Sequence, residues 1–460
     1  MGNRNGEQPS LFLGYQQMRG PGHPFYGALN KILREHQFDE FVEETCKQFY
    51  ARKFGRPSLP PCVYFRCLLL GYFEGIDSER GIAWRVADSL SLRDFIGISA
   101  DKTAPDHSTL SKTRKRFDLE THQAVFNWAL QLLAERGLVK GKTIGVDATT
   151  LEANAAMRSI VRRDDGRKYD EYLTDLAKAS GIDTPKRDDL ARMDRARKGR
   201  KTSNDDWKSP IDPDAHVTKM KDGQTHMGHK QEHAVDMETG AVVAITLSGG
   251  TTGDTTTFGE TVEKAAKTLS AVSANVSNRA RKRMATSIAE VVADKGYHSN
   301  DTITRTVFSD IRSYISEPKR GRRNWNGNSL LRSDVYGNRR RIQGSRGRRL
   351  MRKRGELIER SFAHVLETGR MRRVHLRQHP NIMKRMLIHV AGFNLSLVLR
   401  KLLGRGTPRG FQGRKAAFVS LLLSVLRMFG ADRRLIVLRV IVQTPVHPIF
   451  PMVGASKVVN

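Results

Sequence analysis

Two short apolar runs each deliver an aspartate that could bind a metal ion. The first, Ile144–Thr150, places Asp147 after β-branched residues and before small polar ones. The second, Glu290–His298, places Asp294 between an apolar run and Gly296. Short apolar runs bounded by glycine and polar residues are typical of buried strands. Both acids are therefore predicted at strand ends, and two such carboxylates on neighbouring strands would form half of a metal site.

A third acid is expected on the helix predicted from Gly355 to Leu366, where Glu356 and Glu359 lie on one face. Carboxylates that converge from rigid elements are what two-metal phosphoryl transfer requires, because two hard cations must lie across one phosphate. Taken singly, each acid has a plainer explanation. An aspartate after a strand often caps a turn, and a helical glutamate is usually solvated. His298 similarly either contacts a phosphate or caps its turn.

The composition indicates a polyanionic partner. The chain has 460 residues, a formal charge of +31 and a pI near 10.4, a balance that favours nucleic acid over a membrane. A ribosomal or nucleoid protein could share that charge but would seldom be this long with interleaved apolar strands. The length allows two or three domains.

The cysteines and the apolar runs predict a reducing, cytoplasmic setting. Cys46, Cys62 and Cys67 form neither a CxxC pair nor a cluster with histidines, which disfavours zinc and disulfides and leaves Mg²⁺ or Mn²⁺ as the expected metal. No signal pattern opens the chain, and the nearest candidate for a membrane span, Ala417–Leu426, is too short.

The order of predicted elements gives the domain organisation. Residues 1–22 read as a flexible N-terminus, 23–137 as an all-helical domain, 138–405 as an α/β domain and 406–460 as a tail without an assigned role. Within the α/β domain the order is strand, hairpin, helix, strand, helix, strand, helix, which predicts a ribonuclease-H-like mixed sheet. A polar insertion at about 155–228 is expected to lie outside the core.

The helical domain ends in a segment suited to DNA contact. Residues 106–117 offer Asp106 or Ser108 as an N-cap and turn Leu110 and Phe117 inward. The basic residues around this helix are Lys112, Arg114, Lys115 and Arg116. We predict the second helix of a helix-turn-helix that reaches DNA; the alternative is a solvated basic face.

Residues 319–355 are the most basic stretch, with fourteen Lys/Arg against one acid, Asp334. Trp325 and Tyr336 lie within it, available to stack on bases or to anchor a loop. The segment lacks apolar periodicity, so it is not expected to pack as core. It is predicted to contact nucleic acid, and the alternative is a flexible segment without a specific role.

At these residues the chain resembles the DDE transposases of bacterial insertion sequences, in the insertion-sequence-4/5-like superfamily and closest to the insertion sequence 1182 type. The resemblance covers roughly residues 20–405. The matching blocks are Phe54–Ser58 through His107–Ser111, Ile144–Asp147, Asp212–Ala215 with Gly228–Lys230, Ala293–Tyr297, and Glu359–Phe362.

The resemblance implies a catalytic and metal-binding triad of Asp147, Asp294 and Glu359. The family often has an arginine four residues before the third acid; Arg352 and Glu356 fit that spacing, so Glu356 remains the alternative. The family's lysine seven residues after the acid is absent, since Leu366 stands there, and Arg370 or Arg373 is the expected substitute. The residues expected to hold DNA are Arg352, Arg354, Arg360 and Arg370.

The implied activity is Mg²⁺- or Mn²⁺-dependent cleavage and strand transfer of double-stranded DNA. The expected partners are the element's terminal inverted repeats, the target DNA and a second copy of the chain in a homodimer on DNA. A cytoplasmic, nucleoid-associated protein without a membrane partner is expected. Two alternatives remain: a non-catalytic DNA-binding protein derived from a transposase, and an unrelated two-metal nuclease.

Overall fold

Among the residues that the structure describes, seven α-helices precede the first strand of the main sheet. The computed structural model describes residues 22–51, 58–181, 186–196, 204–220, 223–319, 321, 323–325 and 327–411. The described helices before residue 137 are α1 Pro24–Glu35, α2 Phe38–Cys46, α3 Pro61–Glu74, α4 Glu79–Ala87, α5 Leu90–Ile96, α6 His107–Arg116 and α7 Leu119–Glu135. The predicted flexible N-terminus, apart from residue 22, and the apolar run at 417–426 lie outside the described residues.

Capping residues and apolar faces explain the helices described in this region. Helix α3 is buried on every side up to Phe73 and ends at Gly75, whose φ of +67° suits a glycine. Asp106 caps α6 by accepting a hydrogen bond from the Thr109 N–H. These helices and the sheet form one compact unit up to Arg409, since α7 and α3 pack against α15, His379–Leu403.

One buried histidine in this region is held neutral by its neighbours. His122 Nε2 accepts a hydrogen bond from the Tyr64 hydroxyl at 3.0 Å, and His122 Nδ1 donates to the Asp118 carbonyl at 2.7 Å. Burial lowers the pKa of His122 to about 3. The imidazole therefore packs as a neutral group with both nitrogens satisfied.

The main sheet is mixed, as predicted. Its strands are β1 Thr143–Glu152, β4 His216–Lys219, β5 Thr225–Asp236, β6 Val242–Gly249, β7 Glu290–Ala293 and β8 Arg312–Ile315. Strand β5 runs antiparallel to β1, β4 and β6, whereas β7 is parallel to β1 and β8 is parallel to β7. The predicted hairpin is confirmed as β5 and β6.

Helices cover both faces of this sheet. Helix α10, Asp254–Ala274, lies on one face, where Thr257 and Thr261 donate hydrogen bonds to Glu232 of β5. Helix α14, Ser345–Phe362, lies on the other, where Ser361 hydrogen-bonds His233 of β5. Because neighbouring residues on a strand face opposite ways, consecutive β5 residues reach different helices. The short helix α11, Asn278–Arg281, follows α10, and α12, Asn300–Phe308, follows β7.

The basic segment does pack, so the prediction that it lies outside the core was wrong. It forms α13, Ser329–Gln343, and most of α14, with Val335 and Leu350 buried. Its arginines are partnered by acids from the sheet region: Arg346 pairs with Glu290, and Arg339 with Glu317. The two N···O distances are 2.5 and 2.9 Å.

Part of the polar insertion packs against the edge of the main sheet, in a small apolar cluster. Strands β2, Val161–Arg162, and β3, Trp207–Lys208, form a two-stranded sheet. The small cluster around Trp207 buries Ala153, Ile160, Ala215, Val217 and Met227. Helices α8, Tyr169–Ala179, and α9, Arg187–Ala196, complete the described part of this region.

One described stretch, His379–Phe411, is apolar and long enough to cross a bilayer, and 72% of its most apolar window is buried within the protein. Burial of this degree is what the core helix of a folded domain shows.

Candidate active site

Strand register brings Asp147 and Asp294 together. Gly145 of β1 lies beside Val292 of β7 in the parallel pairing. Continuing that register by two residues sets Asp147 beside Asp294, which keeps an extended backbone just past the end of β7. Neighbouring strands are about 4.8 Å apart. The two carboxylates therefore start from adjacent backbone positions at the same level of the sheet.

Asp147 is partly buried and already has a cationic partner. Arg354 Nη1 of α14 donates to Asp147 Oδ2 at 2.7 Å, and the Ala148 N–H donates to Oδ1 at 2.9 Å. Burial raises the pKa of the Asp147 carboxyl above its ordinary value, although Arg354 opposes this shift; the negative charge of Asp294 raises it further. A second positive charge at this carboxylate would be favourable.

Asp294 also caps a turn. Its Oδ1 accepts a hydrogen bond from the Gly296 N–H at 2.8 Å, and a short 3₁₀ helix, Lys295–Tyr297, follows. The turn-cap explanation and the site explanation thus apply to the same residue. The cap fixes one carboxylate oxygen at the turn.

Helix α14 crosses the sheet directly over Asp147. A Cβ on Gly145 would overlap the Met237 sulfur and lie 3.0 Å from Ile358 Cδ1, so the missing side chain makes room for Met237 and for α14. At the end of α14, the Phe362 ring stacks on His233, the residue paired with Asp147 across β1 and β5. These contacts fix the helix that carries both candidates for the third acid.

The two glutamates on α14 occupy different surroundings. Glu356 is exposed and forms an i,i+4 ion pair with Arg360 at 2.7 Å. Glu359 is exposed, and its Oε1 would lie 3.9 Å from a Cβ on Gly355, so its carboxylate folds back along the helix. Glu359 lies about 140° around the helix from Arg354, so the two side chains leave α14 from different faces.

The carboxylates are suitable ligands for a hard divalent cation, but the described side chains do not form a complete set of metal ligands. Among the described residues, no group of three or more His, Cys, Asp or Glu side chains is placed to hold a metal ion. Carboxylate oxygens are the ligands that Mg²⁺, Mn²⁺ and Ca²⁺ prefer. The strand-borne pair fits such an ion, and a helical glutamate would have to approach to complete the ligand set.

The basic residues predicted on α6 divide into two groups. Lys112, Lys115 and Arg116 are exposed, and Arg116 also lies over the Tyr50 ring, 5.2 Å from its centroid. Arg114 is buried instead: its side chain is 7% exposed and pairs with Glu79 of α4 at 2.8 Å. The predicted exposed position of Arg114 is therefore wrong, because an acid 35 residues earlier binds its guanidinium inside the protein.

The other predicted DNA-contacting arginines are spread along α14 and beyond it. Arg352 is exposed on α14, Arg354 binds Asp147, and Arg360 binds Glu356. Arg370 is exposed and has a φ of +55°, in the left-handed region that non-glycine residues seldom adopt.

Asp254 was not among the site residues predicted from the sequence. This aspartate is the first residue of α10, and a Cβ on Gly296 would overlap its carboxylate and lie 3.1 Å from Asp294 Oδ1. The available signal was its position after the Gly- and Thr-rich turn at 249–253. Two aspartates from separate elements thus meet around Gly296.

Two family models match the chain. A model described as a transposase domain matches residues 15–116, and one described as a transposase DDE domain matches residues 180–395. No curated protein and no solved structure matches significantly. The matched ranges include the helical region with α6 and the part of the chain that carries Asp294 and Glu359. Together the two matches support an insertion-sequence DDE transposase.

Proposed function

We propose that this protein cleaves DNA at the ends of an insertion sequence and joins those ends to target DNA, using a divalent metal held by Asp147, Asp294 and Glu359. The observation that carries the proposal is the parallel register of β1 and β7, which aligns the first two acids on one sheet. The match to a transposase DDE domain supports the same reaction class.

The strand order supports a ribonuclease-H-like core for this reaction. Strands β6, β5 and β1 form an antiparallel series, and β7 and β8 continue it in parallel. The two strand-borne acids lie at its centre, beneath α14. We propose that the chain belongs to the insertion-sequence-4/5-like superfamily and is of the 1182 type.

Each acid has a defined part in the proposed mechanism. Asp147 and Asp294 would hold the cation from the rigid sheet, and Glu359 would approach from α14. A bound Mg²⁺ or Mn²⁺ supplies charge stabilisation for the attacking and leaving oxygens of an in-line displacement. Glu359 is preferred to Glu356 because its carboxylate folds towards Gly355, whereas Glu356 is paired with Arg360.

Arg354 has two anionic partners in the proposed mechanism, the Asp147 carboxylate and a DNA phosphate. In the structure its guanidinium neutralises Asp147. A metal ion bound by Asp147 would leave the Arg354 guanidinium available to bind a DNA phosphate, for which its planar fork is suited. Exposed Arg352 lies two residues earlier, about 200° around the same helix, and is proposed to bind DNA from that other face.

The basic surface is proposed to hold the DNA. Lys112, Lys115 and Arg116 on α6 would bind a terminal inverted repeat, since cations on one exposed helix can follow a DNA backbone. Strand transfer needs two ends in one assembly, so the proposed active form is a homodimer on DNA. The proposed location is the cytoplasm, on the nucleoid.

The decisive experiment uses the full chain, a labelled terminal-repeat duplex and Mg²⁺ or Mn²⁺. The proposal expects cleavage and strand joining that are lost in Asp147→Asn and Asp294→Asn and retained in Glu356→Gln. Cleavage without joining would support a nuclease instead. Tight binding without cleavage at any divalent concentration would support a DNA-binding protein derived from a transposase.

A further inference from the structure

A buried ion network lies on the face of the sheet opposite α14. Lys230 of β5 is 5% exposed, and its Nζ lies 2.9 Å from Glu232 Oε1 and 2.7 Å from Asp254 Oδ1. It also donates to the Thr257 hydroxyl at 2.9 Å and to the Thr252 carbonyl at 3.2 Å. One ammonium thus joins the central strand β5 to the N-terminus of α10.

The same network reaches the turn that carries Asp294. Glu232 accepts a hydrogen bond from the Tyr297 hydroxyl at 3.1 Å, and the Lys230 ammonium lies over the Tyr297 ring, 5.9 Å from its centroid. Tyr297 is fully buried and lies three residues after Asp294. The turn is therefore anchored at its far end by a buried hydroxyl.

The near end of the turn is held by close contact. A Cβ on Gly296 would overlap the Asp254 carboxylate, so only glycine lets Asp254 approach the turn this closely. The other oxygen of Asp254 is fixed by Lys230. Asp294 is held in the same turn through its Oδ1, which accepts a hydrogen bond from the Gly296 N–H.

We propose that Lys230 is a positioning residue for the metal centre, which sets the place of Asp294 by clamping Asp254 and Glu232 around the turn Asp294–Tyr297. This inference rests on the proposed function. Lys230 does not touch the metal or DNA in this scheme. Its ammonium balances two carboxylates next to the site, which leaves the charge of Asp294 for the cation.

The charge balance explains why a buried lysine is placed here. Glu232 is 1% exposed, and an ionised carboxylate at that depth needs a partner. Asp254 is 35% exposed and faces Asp294, so without a cation beside it the two carboxylates would repel each other. Lys230 meets both needs with one ammonium.

The test measures Mn²⁺ binding to the full-length protein without DNA, by electron paramagnetic resonance titration. Lys230→Met is the main variant, and Gly296→Ala separates Asp254 from the turn while every charge is kept. Lys267→Met is the matched control, because Lys267 lies on α10 and forms only an exposed pair with Glu263. Thermal melts followed by circular dichroism confirm folding.

The proposal expects Mn²⁺ affinity to fall about 10–100-fold in Lys230→Met, the range for residues that hold metal ligands in place. The Mn²⁺ affinity of Gly296→Ala should also be lower than that of wild type. Lys230→Arg should bind Mn²⁺ more tightly than Lys230→Met, and Lys267→Met should bind it as tightly as wild type. If Lys230→Met does not fold, Gly296→Ala decides the question.

Unchanged Mn²⁺ affinity in folded Lys230→Met and Gly296→Ala would overturn the positioning role alone, provided that wild-type binding is lost in Asp147→Asn. Absence of Asp147-dependent Mn²⁺ binding in wild type would overturn the metal centre and the positioning role together. The two failures are thus distinguished by the wild-type titration.

Discussion

Arg114 offers a direct test of which basic residues on α6 serve the fold and which serve DNA. Its guanidinium pairs with Glu79 at 2.8 Å, and the two side chains are 7% and 12% exposed. It also donates to Asn381 Oδ1 of α15 at 3.3 Å. Arg114→Met would leave the Glu79 carboxylate buried beside fewer cations.

The size of the loss follows from this burial. Breaking a buried ion pair by removing one partner costs about 3–5 kcal/mol. Burial already raises the pKa of Glu79, in spite of Arg114 and Arg385 nearby. The unpaired carboxyl can therefore take up a proton and avoid part of the cost, which places the expected loss near the lower bound, about 3 kcal/mol.

The assay is urea unfolding followed by circular dichroism, with Arg85→Met as the control on α4. Arg85 pairs with Glu74 at 3.1 Å but is 46% exposed, so its removal should cost at most about 1 kcal/mol. In parallel, Lys112→Ala should leave stability unchanged and reduce the salt dependence of DNA binding by about 0.9 in the log–log slope. If Arg114→Met costs no more than Arg85→Met, the structural role assigned to Arg114 is wrong.

Three further predictions concern the sheet, acid stability and the third acid. Gly145→Val should lower the free energy of unfolding by about 1–3 kcal/mol and reduce cleavage, because Ile358 leaves no room for the new side chain; urea midpoints and end-cleavage rates check this. The free energy of unfolding of wild type should decrease as the pH falls from about 6.5 towards 3, because His122 takes up a proton in the unfolded chain but not in the folded one. In urea unfolding at a series of pH values, the free energy of unfolding of His122→Asn should change less steeply with pH, by at most about 1.4 kcal/mol per pH unit. In cleavage assays Glu359→Gln should abolish activity while Glu356→Gln should retain most of it, and the reverse result would reassign the third acid.

Local patterns were enough to predict the elements that carry the first two acids. The runs around Asp147 and Asp294 are short, apolar and closed by glycine or small polar residues, and both lie on or directly after strands of the main sheet. The hairpin of β5 and β6 was likewise predicted from its two apolar runs. These signals depend on neighbours along the chain, which a sequence displays directly.

What the sequence did not reveal depends on partners that are distant along the chain. The basic segment forms packed helices because acids such as Glu290 and Glu317, which lie outside it, pair with its arginines. Arg114 is buried for the same reason, through Glu79. A run of arginines looks the same whether its partners are phosphates or carboxylates of the same chain. The net charge of +31 therefore overstates how many cations in any one segment remain available for DNA.

The geometry of α14 decides which of its side chains can face Asp147. Arg354 binds Asp147, and Ile358, about 40° away around the helix, faces Gly145 of the same strand. Glu359 is five residues after Arg354, about 140° around the helix, so its side chain starts from a different face. The proposed third ligand therefore has to reach the site around the helix surface, whereas Asp147 and Asp294 are aligned by strand register.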